Sequence, residues 1–350
     1  MSAVLSPLVD PATALTLGEF ADLLTSPGDL TAILIEGLAK ASLYLMIASG
    51  LTLIFGLMDV INFAHGAFTM YGAYIAGAAV LGAGVGSFGL GGSVLTFLAV
   101  VALVFVILGL FGTVLEVGLI RRLYEYPPIY QILLTFGIAI TLEEFMRIVV
   151  EFLSVNQGQY RFDWSSPRQE TVPAALRGTR ELLFVSYNGL HLLQIAFGVA
   201  TAVGIWAFLN RTRYGLFVRA GVEDEEMAKA LGINVQQTFT VVFAIGAGIA
   251  GAAGAMLMWD PLWSVSVPLA LDVLLPAFVI VIVGGLGSFK GTIAASLLVG
   301  TLDAVGTWAF QNGVVTFTGI DDLMIFGVLV LMLIVRPRGL YGVEGMGDHG

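Results

Sequence analysis

Nine stretches of mostly apolar residues run along this chain, and most of them are long enough to cross ~30 Å of hydrocarbon as a helix. They lie at residues 33–57, 62–84, 94–118, 129–150, 189–209, 238–258, 271–289, 292–312 and 321–335. Only 11% of the 350 residues are charged, against about 25% in a soluble domain. The sequence therefore predicts an all-α, polytopic transmembrane helix bundle of about eight to ten spans. Glycine in 62–84 and 271–312 predicts that some spans are discontinuous or re-entrant.

Composition narrows the classes of function. The chain has no cysteine, which excludes disulfides, thiolate metal sites and a cysteine nucleophile. Its three histidines are too few to favour a histidine-rich metal site. The formal charge of −10 argues against a nucleic-acid partner, and it indicates the salty cytoplasm of a halophilic prokaryote. Neither H-E-x-x-H nor G-x-S-x-G occurs, so we expect no enzyme, no metal and no bound cofactor.

Basic residues set the expected orientation. If successive spans alternate in direction, four groups of basic residues lie on the same side of the membrane. By the positive-inside rule, that side is the cytoplasm. The groups are Arg121 with Arg122; Arg211, Arg213, Arg219 and Lys229; Lys290; and Arg336 with Arg338. We expect a multi-pass protein of the plasma membrane with its N-terminus outside. Its predicted parts are an acidic extracytoplasmic segment 1–30, a transmembrane domain 31–336 and a cytoplasmic tail 337–350. Within the domain, 151–188 is an outer loop and 211–237 a cytoplasmic loop.

Four polar residues at membrane depth are candidates for a translocation pathway. A polar group there is costly unless it is paired or faces water. Asp59 either lines the pathway or caps the following helix. Asn62 and His65, three residues apart, are expected on one helix face, where they line the pathway or tie helices together by hydrogen bonds. Asp303 is either paired or faces the pathway.

The polar segment 211–237 is predicted to dock on a partner. Four consecutive acids, Glu223 to Glu226, are expected to open a short helix, where they oppose the positive end of its dipole. Gly232 is placed to end that helix. Its apolar face is formed by Val222, Met227, Ala230 and Leu231. A solvated linker would not need such a face, so the docking residues are expected to be Glu223, Glu226, Met227, Ala230, Leu231 and Gly232.

Two glycine-rich motifs imitate nucleotide-binding loops. Gly246 to Gly251 spells G-x-G-x-x-G, but it lies in an apolar run and not in the βαβ unit that this fingerprint needs. Gly246, Ala250 and Gly254 instead have the four-residue spacing that lets transmembrane helices pack closely. The glycines of 284–291 form either a tight turn or unwound backbone that lines a cavity. Trp259 and Trp263 suggest an interfacial aromatic belt.

Several motifs together resemble a known family. They are Ser49 to Gly56, Ile61 to Gly66, Tyr71 to Tyr74, Arg213 to Asn234, Gly284 to Gly291 and Arg336 to Gly342. This combination is similar to the branched-chain amino-acid ABC permeases of the leucine/isoleucine/valine uptake system, over about residues 35 to 343. The segment 219–234 resembles the loop of those permeases that couples to the ATPase.

The resemblance implies a set of partners. They are a second, homologous permease subunit, two cytoplasmic ATP-binding subunits that use the ATP, an extracytoplasmic substrate-binding protein, and membrane lipid. Three alternatives remain open: a urea or short-amide ABC permease, a secondary transporter that binds a coupling ion at Asp303 or Asp59, and a structural scaffold. Uptake without ATP would favour the secondary transporter, and the absence of any transport would favour the scaffold.

Overall fold

The computed structural model describes residues 26–58, 60–82, 94–124, 126–156, 179–182, 185–260, 263 and 265–342. Its helices are α1 (Pro27–Met58), α2 (His65–Gly82), α3 (Val94–Gly118), α4 (Pro128–Asn156), α5 (Gly189–Arg211), α6 (Arg213–Glu223), α7 (Glu225–Ala230), α8 (Val235–Leu257), α9 (Leu269–Gly284), α10 (Phe289–Gln311) and α11 (Ile320–Val335). A 3-10 turn at Ile120–Leu123 follows α3, and strands β1 (Thr179–Leu182) and β2 (Val185–Asn188) form an antiparallel hairpin before α5. All nine predicted spans are present as helices, which confirms the all-α polytopic bundle.

The helices differ in how far they can reach across a bilayer. Within the described residues, five helices are long and apolar enough to span it, namely α1, α3 with its 3-10 extension, α5, α8 and α10, and α9 is a shorter apolar helix. The 18 residues of α2 and the 16 of α9 give lengths of only about 27 and 24 Å. Helices α2 and α9 lie in the stretches 62–84 and 271–312, where glycine predicts discontinuity, but α10 in the second stretch is long enough to span.

Helix α2 begins inside the bundle. The Nε2 atom of His65 lies 3.0 Å from the carbonyl oxygen of Ile47, and Ile47 lies about 16 Å of helix before Met58, the last residue of α1. Residues 60–64 therefore turn back alongside α1, and most of them are buried. Non-helical backbone at this depth is tolerated because protein surrounds it, and the re-entrant character of this segment stays a prediction.

Helix α8 lies at the centre of the bundle, against α1, α2 and α3. A Cβ atom on Gly246 would lie 3.0 Å from the carbonyl oxygen of Gly50 in α1, and one on Gly254 would overlap the carbonyl oxygen of Thr69 in α2. Ala250, between them in the same row, is completely buried. The four-residue spacing of small residues is therefore a packing motif, as predicted.

Enlarging Gly254 is expected to separate α2 from α8. Gly254→Leu should lower the midpoint of thermal unfolding in detergent, since overpacking typically costs about 1–3 kcal/mol and here the obstacle is backbone. The matched control is Gly327→Leu in α11, where a Cβ atom meets nothing within 4 Å. Equal midpoints for the two variants would contradict the close contact.

The predicted aromatic belt is wrong for Trp259. This side chain is 2% exposed, and its ring lies 4.3 Å, centroid to centroid, from the ring of Phe97 in α3. Trp259 follows the end of α8, where the chain remains enclosed by neighbouring helices. The position of Trp259 is therefore explained by burial of its large aromatic surface. Trp263 is partly exposed.

The glycines of 284–291 form a tight turn between α9 and α10. Gly285 and Gly287 have φ angles of 101° and 73°, which residues with a Cβ atom rarely adopt. The C-terminal segment closes over this turn, because Leu340 donates its N–H to the carbonyl of Val283 at 2.8 Å and Tyr341 donates to Gly284 at 3.0 Å. The start of the predicted tail, residues 337–342, is thus packed against the bundle.

Candidate coupling surface and buried polar residues

The basic groups of the sequence gather at one end of the bundle, called here the basic end. Gly56, near the end of α1, touches Gly287 of the α9–α10 turn, and the nearby Leu57 touches Gly221 of α6. The Nη2 atom of Arg121 donates to Thr240, in the second turn of α8, at 2.5 Å. The structure contains no membrane, so the assignment of this end to the cytoplasm stays a prediction.

Segment 211–237 forms two short helices where one was predicted. Asp224 ends α6 and caps α7, because its backbone is extended and its Oδ1 accepts the N–H of Met227 at 2.8 Å. Glu223 therefore closes α6, and the prediction that all four acids open one helix is wrong. Gly232, with φ of 83°, follows the end of α7 as predicted.

The two helices have one anchored face and one free face. Val218 of α6 and Ala228 of α7 are buried against the bundle. Met227 is 55% exposed and Leu231 is 74% exposed. All six predicted docking residues are exposed: Glu223, Glu226, Met227, Ala230, Leu231 and Gly232. The chain thus presents a capped apolar surface, Val222, Met227, Ala230 and Leu231, called here the coupling surface.

A buried carboxylate connects α3 to the start of α8, beside the coupling surface. Glu116 is completely buried and accepts two hydrogen bonds from Arg121, at 3.0 and 2.8 Å. It also accepts hydrogen bonds from the hydroxyls of Tyr124 and Thr240, at 2.7 and 2.9 Å. Burial raises the pKa of the Tyr124 hydroxyl and its bond to Glu116 raises it further, so this group stays a neutral donor.

Asn62 and His65 do not share a helix face, because α2 begins at His65. The Oδ1 atom of Asn62 accepts the N–H of Ala64 at 3.0 Å, which forms a turn before the helix instead. The Nε2 atom of His65 contacts the carbonyl of Ile47 and connects α2 to α1. Both side chains are 0% exposed, which favours the interhelical tie. Their pathway role stays a prediction, and Asp59 lies outside the described residues.

Asp303 is paired. Its Oδ1 lies 2.6 Å from Nζ of Lys40 in α1, and its Oδ2 accepts the hydroxyl of Tyr44 at 2.5 Å. Lys40 also donates to Thr307 at 2.6 Å and lies 3.3 Å from Glu36. Lys40 and Asp303 are both nearly inaccessible to solvent. A buried ion pair with this many hydrogen bonds meets the condition under which charges inside a bundle are tolerated.

Several of these residues were not singled out from the sequence. Lys40 and Tyr44 lie on one face of the first apolar span, and a lone lysine within a span is itself a signal of a buried partner. Glu116 gives a similar signal, since it is an acid in the third span that precedes Arg121 by little more than one helical turn. The signal at Lys40 does not identify its partner, because Lys40 and Asp303 are far apart in the chain.

Together, the apolar bundle, the buried polar ties and the exposed coupling surface define a multi-pass membrane permease. Residues 33–333 match the family described as branched-chain amino acid transport system / permease component. The match covers most of the chain, which therefore belongs to this family, as the motifs of the sequence indicated.

Individual relatives agree with the family. The chain is 29% identical over 314 residues to the high-affinity branched-chain amino acid transport system permease protein BraD of Pseudomonas aeruginosa, covering 88% of this chain and 94% of BraD. It is 27% identical over 316 residues to the permease protein LivH of the corresponding system in Escherichia coli, with the same coverage. PsaBC from Streptococcus pneumoniae, in complex with Fab, has a similar fold, with a TM-score of 0.50, 15% identity, and coverage of 93% of this chain and 98% of that chain.

Proposed function

We propose that this chain is one of two permease subunits of an ABC importer that carries branched-chain or similar small amino acids into the cell. The importer resides in the plasma membrane of a prokaryote with a salty cytoplasm. Family membership supports the transport role, and the acidic composition supports the salty cytoplasm. The chain itself catalyses no reaction and binds no cofactor.

The partners are a second homologous permease, two cytoplasmic ATP-binding subunits that hydrolyse the ATP, and an extracytoplasmic binding protein that delivers the substrate. The observation that carries this proposal is the coupling surface. Its helices are fixed by the cap at Asp224 and by buried Val218 and Ala228, while Met227 and Leu231 remain uncovered. A fixed apolar surface beside the membrane suits a rigid contact with another protein.

The mechanism is alternating access. Closure of the ATPase pair displaces the coupling surface, and α7 is followed almost directly by α8, the central helix of the bundle. Glu116 connects the beginning of α8 to α3 through Thr240 and Arg121. A displacement of α7 is thereby transmitted to the helices around the pathway, provided that the ATPases bind one conformation more tightly.

An ion-coupled secondary transporter is less well supported. Such a protein needs an intramembrane acid that is available to the coupling ion. Asp303 already bonds Lys40 and Tyr44, so one of the two candidate acids is neutralised from within the chain, and the other, Asp59, lies outside the described residues. Urea and short amides remain competing substrates for the same importer.

Uptake by reconstituted vesicles tests the proposal. Proteoliposomes would contain this chain, the second permease and the ATPases, with ATP inside and the binding protein and labelled leucine outside. We expect uptake that requires ATP and that excess valine inhibits while excess urea does not. Uptake driven by an ion gradient without ATP would overturn the ABC mechanism, and inhibition by urea alone would overturn the substrate class.

A further inference from the structure

An apolar groove of about 560 Å³ runs along the side of the bundle. Helices α3 and α5 form its walls, and α1 and α8 form its floor, where Met46 and Ile249 are buried. Of the residues that line it, only Thr201 carries a hydroxyl. Gly204 widens the groove on the α5 side, because a Cβ atom there would meet nothing within 4 Å.

Aromatic rings close one end of the groove. The rings of Phe97 in α3 and Phe197 in α5 are 6.4 Å apart, and Trp259 packs on Phe97. These three rings close the end away from the coupling surface. From there the lining continues along α5 to Phe208, near the basic end of the bundle.

The dimensions suit a single hydrocarbon chain better than a helix. A helix with its side chains is about 10–12 Å across, whereas the rings of Phe97 and Phe197 at one end of the groove are only 6.4 Å apart, centroid to centroid. The groove nevertheless extends along α3 from Leu98 to Val106, about 12 Å. It is therefore long and narrow, and its walls belong to two helices, α3 and α5, that are mostly exposed on the surface of this chain.

One basic side chain, Arg211, continues the same row of α5 beyond Phe208. Phe197, Thr201, Gly204 and Phe208 line the groove on one face of α5, and Arg211 follows Phe208 three residues later on that face. The guanidinium of Arg211 lies 5.6 Å from the ring centre of Trp206, an aromatic residue suited to the membrane interface. Arg213, at the start of α6, is also exposed.

We propose that this groove binds an anionic phospholipid, with one acyl chain between α3 and α5 and the phosphate at Arg211 and Arg213. Basic residues beside a membrane attract anionic headgroups, and an apolar cleft between helices accepts the tail. The site is independent of the substrate and of the ATPase contact, so the proposal does not rest on the proposed function.

Native mass spectrometry of the purified full-length chain tests this site. Phosphatidylglycerol or phosphatidylcholine would be added at equal concentration to the wild-type chain, to Gly204→Leu, and to Arg211→Gln combined with Arg213→Gln. Gly204→Leu should lower the phosphatidylglycerol adduct at least about fivefold by filling the groove. The arginine variant should lower it about tenfold, to the phosphatidylcholine level.

Gly137→Leu is the matched control, because Gly137 in α4 also has open space around it and lies away from the groove. Unchanged phosphatidylglycerol binding in Gly204→Leu would overturn the site, and equal binding of the two lipids by the wild-type chain would overturn the headgroup contact. If Gly204→Leu instead prevents co-purification of the second permease subunit, a protein helix occupies the groove and the proposal is wrong.

Discussion

Replacement of Lys40 by methionine is expected to destabilise the bundle by roughly 3–5 kcal/mol, because it leaves Asp303 buried without its cation. The two groups are 2.6 Å apart, and Asp303 is 4% exposed. Tyr44 would still donate to the carboxylate, but a neutral hydroxyl does not replace the lost charge. Unfolding by sodium dodecyl sulfate in mixed micelles measures the loss.

Two further variants distinguish the loss of the ion pair from non-specific destabilisation of the bundle. Lys40→Met with Asp303→Leu should recover most of the stability, since an apolar pair of similar volume often replaces a buried ion pair without loss. Arg147→Met removes a cation from the exposed pair with Glu144, 3.3 Å apart, and should cost at most about 1 kcal/mol. If Lys40→Met unfolds like the wild-type chain, the ion pair does not connect α1 to α10.

Replacement of Leu231 by glutamate is expected to reduce ATP-driven uptake by about tenfold or more while the bundle remains folded. Leu231 is 74% exposed, so the isolated chain loses little. Burying a leucine against a partner contributes about 1.5–3 kcal/mol, and 1.4 kcal/mol corresponds to a factor of ten in affinity. Co-purification of the ATPase subunits and leucine uptake would both be measured.

The control for charge alone is Gln236→Glu, which introduces a carboxylate at an exposed position in the first turn of α8. It should leave uptake nearly unchanged, because an acid is favourable there. Leu231→Met keeps an apolar side chain and should retain most of the activity. Normal uptake by Leu231→Glu would show that the coupling surface does not contact the ATPases.

Much of the fold was predicted from short stretches of the sequence considered one at a time. Runs of apolar residues located nine of the eleven helices in the described part of the chain, since a span is defined by its own length and hydropathy. Gly232 correctly marked the end of α7, because a helix C-terminus depends on the backbone of neighbouring residues. Met227 and Leu231 were also identified as candidate docking residues, because a polar loop has no core of its own in which to bury apolar side chains.

Signals that depend on distant residues were misread or incomplete. Trp259 was expected at the membrane interface and is buried against Phe97, and Asn62 was expected on a helix and lies before it. The buried carboxylates Glu116 and Asp303 have different partners: Arg121 and Tyr124 after α3 and Thr240 of α8 bond Glu116, whereas Lys40 and Tyr44 of α1 bond Asp303. In each case the position or the bonding of the side chain depended on the residues that pack around it in the folded chain.

The sequence by itself determined the nine apolar helices, their order along the chain and the family to which this permease belongs. Only the tertiary structure decided that α2 begins inside the bundle, that Lys40 neutralises Asp303, and that α3 and α5 enclose a groove. The physical reason is that membrane helices are apolar on every side. Their sequences therefore do not distinguish a face that packs on protein from one that meets lipid, and close contacts between helices make that distinction.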